Sequence, residues 1–134
     1  MRETGTQLQR GEMALNKNLL IMTLKVNEIN VPIKRNKIAE WIGKYDPHIC
    51  CLQETHLRTK DLHRLKVKGW KKIFQANAKG KKARVAILIS DKIDFKTKAI
   101  NRDTEVHLII IKGRIHQEDI NMVNIYAPII RALK

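Results

Sequence analysis

Two apolar segments near the start of the chain predict buried β-strands. The first covers residues 19–26 and opens with the uninterrupted apolar run LLIM. The second covers residues 48–53 and ends on Glu54. Continuous apolar runs are typical of strands that are buried on both faces. We therefore expect the two strands to lie parallel and to be joined by a right-handed crossover.

The segment between these strands has the periodicity of an amphipathic helix. Pro32 suits the first helical turn, and Asp46-Pro47 ends the helix because proline disfavours helical geometry in the residue before it. Apolar side chains recur between these two points at helical spacing and predict one apolar stripe: Ile38, Trp41, Ile42 and Tyr45.

Beyond residue 70 the pattern changes to short alternating segments separated by polar turns, which predicts a β-meander. Residues 1–17 are polar and aperiodic, so we expect a disordered tail there, one domain over residues 18–128 and a second tail over residues 129–134. The class is therefore α+β, with a crossover first and a meander after it. The expected later strands cover residues 71–76, 84–90, 95–100, 105–115 and 119–126.

Composition narrows the class of partner. A chain of 134 residues with 43% hydrophobic residues suits one small domain with a core. Its 27 Lys and Arg against 13 Asp and Glu give a formal charge of +14, which predicts a polyanionic partner, nucleic acid ahead of an anionic membrane surface. Aromatic residues make up only 4%, which disfavours a single-strand binder built on stacking rings.

Other classes are excluded by what the sequence lacks. The longest apolar run is far too short to span a bilayer, and the N-terminus has no apolar core of a secretion signal. Cys50 and Cys51 are adjacent and would point to opposite faces of a strand, so a mutual disulfide is geometrically poor. No Cys/His spacing suits zinc. We expect a reduced, intracellular protein, nuclear or cytoplasmic.

The segment LQETH carries the strongest candidate chemistry. It places Glu54 at the carboxyl end of a buried strand, where ligands gather in open sheets. Mg²⁺ takes one or two carboxylates together with water and phosphate oxygens, so this residue is a candidate metal ligand. On spacing alone, a solvated turn carboxylate is the favoured interpretation.

LQETH, the earlier TLKVNEIN and the later VNIYAP together resemble the endonuclease domain of long interspersed element (non-LTR) retrotransposons, in the exonuclease–endonuclease–phosphatase superfamily. The resemblance runs over residues 19–128 in matching order. It implies the N-terminal half of a four-layer α/β-β/α sandwich and Mg²⁺-dependent hydrolysis of DNA. It also implies that Glu54 ligates the metal, that Tyr126 lines the site near the scissile phosphate, and that Asn27 is a polar position in the first loop.

Two departures from the family pattern argue against catalysis. Lys25 stands where the family has an asparagine, and Glu28 stands where it has a glycine. An ammonium has no acceptor, so beside Glu54 we expect it to pair with the carboxylate and compete with Mg²⁺. In addition, the family domain continues beyond the point where this sequence stops, through the Gly-Asp-Phe-Asn and Ser-Asp-His motifs. The sequence therefore predicts no useful turnover.

If the chain contains only the first half of the family domain, the sheet that the second half would cover is expected to expose an apolar face. Such a face predicts self-association. The residues expected to contribute to that face are Val85, Ile87, Ile89, Leu108, Ile110, Val123 and Ile125. Basic residues also cluster around Gly69-Trp70 and at residues 79–84. They suit non-specific contacts with DNA phosphates or a nuclear-import patch, or they are solvated loops in a lysine-rich chain. The members of the first cluster are Lys66, Lys68, Lys71 and Lys72.

Three hypotheses follow for function. The favoured one is a catalytically inactive, retrotransposon-derived domain that retains non-specific affinity for duplex DNA. A second is a Mg²⁺-dependent DNA endonuclease whose missing half is supplied in trans. A third is the product of a retrotransposon-derived open reading frame with no selected function.

Overall fold

The structure, a computed structural model, describes residues 7–14, 18–76, 83–103 and 108–125. These residues form two β-sheets with one α-helix, and no helix among them is long and apolar enough to cross a membrane. In chain order the elements are β1 (Gln7–Ala14), β2 (Asn18–Lys25), α1 (Pro32–Tyr45), β3 (Ile49–Leu57), a 3₁₀ segment (Thr59–Arg64), β4 (Lys72–Ala76), β5 (Ala83–Ile89), β6 (Phe95–Asp103), β7 (Leu108–Ile115) and β8 (Glu118–Ile125).

The first sheet has the strand order β1-β2-β3-β5-β4. Its centre confirms the predicted crossover, because β2 and β3 are parallel and α1 connects them. The helix ends where the sequence predicted, with Asp46 in a left-handed conformation and its N–H donating to the carbonyl of Ile42. By contrast, β3 continues to Leu57, beyond the expected end at residue 53.

The expected N-terminal tail does not extend over Gln7–Ala14, which form β1. This strand pairs antiparallel with β2 along its whole length, from Gln7 opposite Lys25 to Ala14 opposite Asn18. The reason lies in the backbone. An edge strand presents unpaired N–H and C=O groups that accept another strand regardless of side-chain pattern, so polar, aperiodic residues can pair there.

The later strands do not form a single meander. β4 and β5 form an antiparallel hairpin that joins the first sheet beside β3, whereas β6, β7 and β8 form a separate antiparallel sheet. The predicted α+β class is confirmed, with two facing sheets that match part of the expected sandwich. The alternation of apolar and polar residues shows which faces of a strand are buried, but it does not show which strands are neighbours. The sequence therefore did not show that β4 and β5 belong to one sheet and β6, β7 and β8 to another.

Two cores lie on opposite faces of the first sheet. The outer core lies under α1 and includes Met22, Leu24, Ile38, Ile42, Cys50, Leu52 and Trp70. The inner core fills the space between the sheets and includes Ile49, Val85, Ile87, Ile89, Phe95, Ile109, Ile111 and Met122.

The prediction that the apolar residues of β5 lie on an uncovered sheet face is wrong. Val85, Ile87 and Ile89 are fully buried, because the second sheet covers the side of β5 that the sequence analysis left open. Two of the other residues do remain exposed on the outer side of β8: Val123 is 57% exposed and Ile125 is 46% exposed. The second sheet of this chain thus covers the inner face of β5, and the exposed apolar residues lie on the outer face of the second sheet.

The two cysteines face the two different cores, as expected for adjacent residues of one strand, and both are free thiols. Burial raises the pKa of the Cys51 thiol to about 11 and also raises the pKa of Cys50. Both groups are therefore protonated at neutral pH and are poor nucleophiles.

Gly113 of β7 packs too closely for any side chain, whereas Gly43 of α1 has open space around it. A Cβ at position 113 would overlap the Phe95 ring and lie 2.6 Å from the Lys96 carbonyl oxygen, while a Cβ at position 43 meets nothing within 4 Å. We expect Gly113→Ala to lower the free energy of unfolding by about 1–3 kcal/mol. Gly43→Ala should raise it by about 0.5–1 kcal/mol, because alanine loses less backbone entropy in a helix.

Urea unfolding of the two variants beside the wild type measures both effects. Equal effects of the two substitutions would contradict the close contact between β7 and β6.

Candidate functional site

The register of β2 and β3 brings two oppositely charged side chains together. Lys25, the last residue of β2, lies opposite Gln53 of β3, and Glu54 follows directly. Glu54 has a left-handed backbone conformation (φ 59°), and the pairing of β3 with β5 shifts register between Gln53 and Leu57. Such an irregularity is typical of a β-bulge, which changes the direction of the side chains around it.

Lys25 and Glu54 form a partly buried ion pair. The distance from Lys25 Nζ to Glu54 Oε2 is 3.3 Å, and the two side chains are 33% and 24% exposed. The contact that the sequence analysis expected between these residues is therefore present. It places a protein cation beside the one carboxylate that the resemblance assigns to a metal.

The loop after β2 is attached to the end of β3 through the backbone. The N–H of Glu28 donates to the Glu54 carbonyl at 2.7 Å, and the N–H of Ile29 donates to the Thr55 carbonyl at 3.0 Å. Glu28 adopts φ 73°, a left-handed conformation that glycine adopts without strain and that costs other residues about 1–2 kcal/mol. Glu28, which stands where the resemblance implies a glycine, therefore occupies a position whose backbone conformation favours glycine.

Asn27 is not brought into contact with the candidate metal ligand. It is exposed, its backbone is left-handed (φ 51°), and its carbonyl oxygen accepts a hydrogen bond from Lys34 Nζ at 2.9 Å. Within the described part of the chain, no hydrogen bond joins its side chain to Glu54. The structure thus places Asn27 in the first loop, as the resemblance implied, on the solvent side.

Asn30 fixes this loop, and the sequence analysis did not single it out. Its amide nitrogen donates to Glu28 Oε2 at 2.8 Å and to the His56 carbonyl at 2.9 Å. Its amide oxygen accepts the backbone N–H of Arg58 at 3.0 Å. The residue is only 9% exposed. A lone asparagine in a loop carries no sequence signal of such a role, because two of its three partners are backbone groups remote in sequence.

A second asparagine joins the two sheets. The amide nitrogen of Asn124 in β8 donates to the carbonyls of Leu52 in β3 (3.2 Å) and Ala86 in β5 (2.9 Å). Its amide oxygen accepts a hydrogen bond from Gln53 Nε2 at 3.2 Å. Asn124 is 2% exposed. This network holds the end of the second sheet against the segment of β3 that carries Glu54.

Tyr126, the other residue that the resemblance assigns to the site, lies outside the described residues. The strand that precedes it ends at Ile125, whose carbonyl accepts a hydrogen bond from Gln53 Nε2 at 3.2 Å. Ile125 of β8 and Gln53 of β3 are therefore in contact, and in the sequence these two residues directly precede Tyr126 and Glu54.

The residues present do not fit a divalent metal. Among residues 18–76, 83–103 and 108–125, no group of three or more His, Cys, Asp or Glu side chains lies where it could hold a cation. Glu54, the carboxylate that the resemblance assigns to a metal, has the Lys25 ammonium 3.3 Å from its Oε2 atom. Two positive charges at one carboxylate repel each other, so the ammonium competes directly with Mg²⁺.

A second charged feature lies at the opposite end of β3. Lys66, Lys68 and Lys71 surround a shallow cavity of about 400 Å³ whose apolar part is formed by Val67, Trp70 and Ile73. The Trp70 ring is 5% exposed, and its N–H donates to the carbonyl of Pro47 at 3.0 Å. With its ring buried, Trp70 offers no stacking platform, and the exposed side chains of the cavity rim are the three lysines.

None of these three lysines forms an ion pair with a carboxylate among the described residues. On the second sheet three cations are paired: Lys96 with Asp94, and both Lys98 and Arg114 with Asp119. We call Lys66, Lys68 and Lys71 the unpaired lysine cluster. Of the other predicted basic segment, residues 79–82 lie outside the described residues.

Comparisons with known proteins agree with this geometry. The sequence profile of the Endonuclease/Exonuclease/phosphatase family matches residues 22–128. Humanized TDP2 from D. rerio has a similar structure, with a TM-score of 0.64 and 14% sequence identity over 83% of this chain and 48% of its own. TDP2 from Caenorhabditis elegans gives a TM-score of 0.58 and 22% identity over 72% of this chain and 30% of its own.

The family match covers most of the chain, and the protein belongs to the endonuclease/exonuclease/phosphatase family. The solved structures share its fold. This chain spans less than half the length of either of them.

The 3₁₀ segment after β3 contains a carboxylate that two arginines hold ionised. Burial by itself would raise the pKa of Asp61, but the hydrogen bond from Arg58 and the charges of Arg58 and Arg64 bring that pKa below its usual value. A lowered folded-state pKa means that the contribution to stability is complete above the unfolded pKa and is lost as the pH falls through the folded pKa.

We therefore expect Asp61→Asn to lower the free energy of unfolding at neutral pH. The difference from wild type should shrink as the pH falls below about 4, the ordinary range of an aspartate. Urea unfolding across this pH range measures it. Asp94→Asn is the control, since the Asp94–Lys96 pair is solvent-exposed at 3.7 Å and should matter little at any pH. A constant Asp61→Asn deficit at all pH values would contradict this role.

Proposed function

We propose that this protein is a catalytically inactive, retrotransposon-derived domain of the endonuclease/exonuclease/phosphatase fold that binds duplex DNA without sequence preference. The observation that carries the binding is the unpaired lysine cluster, in a chain of formal charge +14. The proposal places its contacts on phosphates, which every sequence presents alike.

The described residues support charge-based binding over base readout. All three members of the cluster are exposed, and each presents an ammonium without a competing carboxylate. The neighbouring aromatic ring is buried, so stacking on bases contributes nothing there. Cations that share a protein carboxylate, such as Lys98 and Arg114 at Asp119, are partly neutralised and contribute less to the attraction of a polyanion.

The lack of catalysis in this proposal rests on Glu54. The family resemblance implies Mg²⁺ at this residue, and the ammonium of Lys25 competes for the same carboxylate. A metal that polarises phosphate and stabilises the leaving oxygen supplies several kcal/mol of the catalysis in metal-dependent hydrolysis. A site that does not hold the metal loses that contribution. The alternative endonuclease activity requires both metal binding at Glu54 and the remaining family motifs from a second polypeptide.

Self-association through the outer face of the second sheet stays a prediction. Val123 of β8 lies opposite Ile110 of β7, and Ile125 lies opposite Leu108, which together form an apolar surface. DNA binding and self-association use different surfaces in this proposal.

A nicking assay tests the catalytic part. Supercoiled plasmid with Mg²⁺ should remain intact in the presence of the wild-type protein, and Glu54→Ala should give the same result. Nicking by the wild type that Glu54→Ala abolishes would establish the metal-dependent endonuclease instead. If nicking appears only after a polypeptide with the remaining family motifs is added, the activity is assembled in trans.

A salt titration of duplex binding tests the binding part. Each phosphate contact contributes about −0.9 to the slope of log K against log salt, so replacing all three lysines by glutamine should make the slope shallower by up to about 3 units. The matched control removes three paired cations (Lys96, Lys98 and Arg114) by the same substitution, and it should change the slope less.

Two results would count against the proposal. Equal slopes for the two triple variants would show that the unpaired lysine cluster is not the contact surface. Absence of duplex binding by the wild type even at low salt would favour the third hypothesis, a reading-frame product with no selected function.

A further inference from the structure

The Lys25–Glu54 pair places a cation where the fold family uses a metal to meet phosphate. We propose that the Lys25 ammonium is a built-in cation at this site, held by Glu54 and available to a phosphate oxygen of bound nucleic acid, so that phosphate binding there needs no metal. This inference rests on the proposed function as far as the bound nucleic acid is concerned. The replacement of the metal by the ammonium rests on the geometry of the ion pair together with the metal-binding role that the family resemblance implies for Glu54.

The ammonium has donors to spare. A lysine ammonium carries three N–H donors, and the contact with Glu54 at 3.3 Å is the one ion pair that it forms among the described residues. Its side chain is 33% exposed, so the remaining donors reach solvent. A lysine ammonium is a compact point charge and is well suited to a phosphate oxygen, to which it forms a charge-assisted hydrogen bond.

The position of the ammonium is fixed by the fold. Lys25 is the last residue of β2, and the next residue, Val26, donates its N–H to the Gln53 carbonyl at 2.9 Å. Glu54 in turn has its carbonyl bound by the Glu28 N–H at 2.7 Å. Both ends of the ion pair therefore stand on backbone that is hydrogen-bonded across the same strand end. A pair held in this way costs less ordering on binding than two mobile surface side chains.

An ordinary surface salt bridge is the competing explanation. Exposed pairs contribute at most about 1 kcal/mol to stability and carry no function. The two explanations differ in what happens when Lys25 is removed. Loss of a surface salt bridge leaves an unpaired, partly exposed carboxylate, whereas loss of a built-in cation leaves a position that a divalent ion can take.

The experiment measures duplex binding by the full chain in EDTA and in Mg²⁺ at equal ionic strength. The wild type is the reference in each buffer, because Mg²⁺ itself competes with the protein for DNA phosphates, and every variant is compared with the wild type in the same buffer. Lys25→Asn should bind roughly tenfold more weakly in EDTA, the loss of one charge-assisted contact, and should recover in Mg²⁺. Adding Glu54→Gln should abolish the recovery. Lys25→Arg, which keeps the cation, should behave like the wild type.

Lys44→Asn is the matched control, since it removes one exposed cation of α1 far from Glu54. It should weaken binding without creating any recovery in Mg²⁺. Circular dichroism of each variant verifies that the fold is retained, and Lys25→Arg provides the comparison if Lys25→Asn is destabilised.

A second measurement works without nucleic acid. Titration with Mn²⁺ followed by electron paramagnetic resonance should show no site in the wild type, a site in Lys25→Asn, and none in Lys25→Asn combined with Glu54→Gln. Unchanged duplex binding by Lys25→Asn in EDTA would overturn the phosphate contact. A Glu54-dependent Mn²⁺ site in the wild type, or no gained site in Lys25→Asn, would overturn the replacement of the metal. If the wild type binds no duplex, the proposed function fails while the Mn²⁺ titration still decides on Lys25.

Discussion

The arrangement of this protein depends on one strand that is buried on both faces. β3 pairs with β2 on one side and with β5 on the other, and its side chains alternate between the two cores. Such a strand needs an apolar layer above and below. α1 supplies the first by crossing back over the sheet, and the second sheet supplies the other. The site at the end of β3 takes its geometry from these two contacts.

Where β3 ends, burial gives way to charge and to strained backbone. Glu54, His56, Asn27 and Glu28 all have positive φ, which L-residues other than glycine adopt at a cost. Asn30 offsets part of this cost by hydrogen bonds that join the two segments. The loop is therefore held in a shape that local preferences alone would not produce, and the carboxylate of Glu54 at this strand end is paired with the ammonium of Lys25.

The positively charged side chains of this surface are of two kinds, those paired with carboxylates and those that are not. Asp61 and Asp119 each hold two cations, so each carboxylate offsets one of the two positive charges beside it. The unpaired lysine cluster forms no ion pair among the described residues, whereas Lys25 is paired with Glu54. The cluster and Lys25 lie at opposite ends of β3. The formal charge of +14 is therefore distributed over two chemically distinct surfaces, one formed by unpaired lysines and one in which the lysine is paired with a carboxylate.

The sequence by itself determined the parallel strand pair and the helix between them, because local periodicity records these features, and the contact of Lys25 with Glu54 was expected from the family resemblance of the two motifs that carry them. Only the tertiary structure decided that β4 and β5 join the first sheet, that Val85 is covered from within the chain, and that Asn30 and Asn124 fix the site. Strand neighbours and backbone partners are remote in sequence. No local pattern encodes them, because a carbonyl accepts the same hydrogen bond whatever side chain its residue carries.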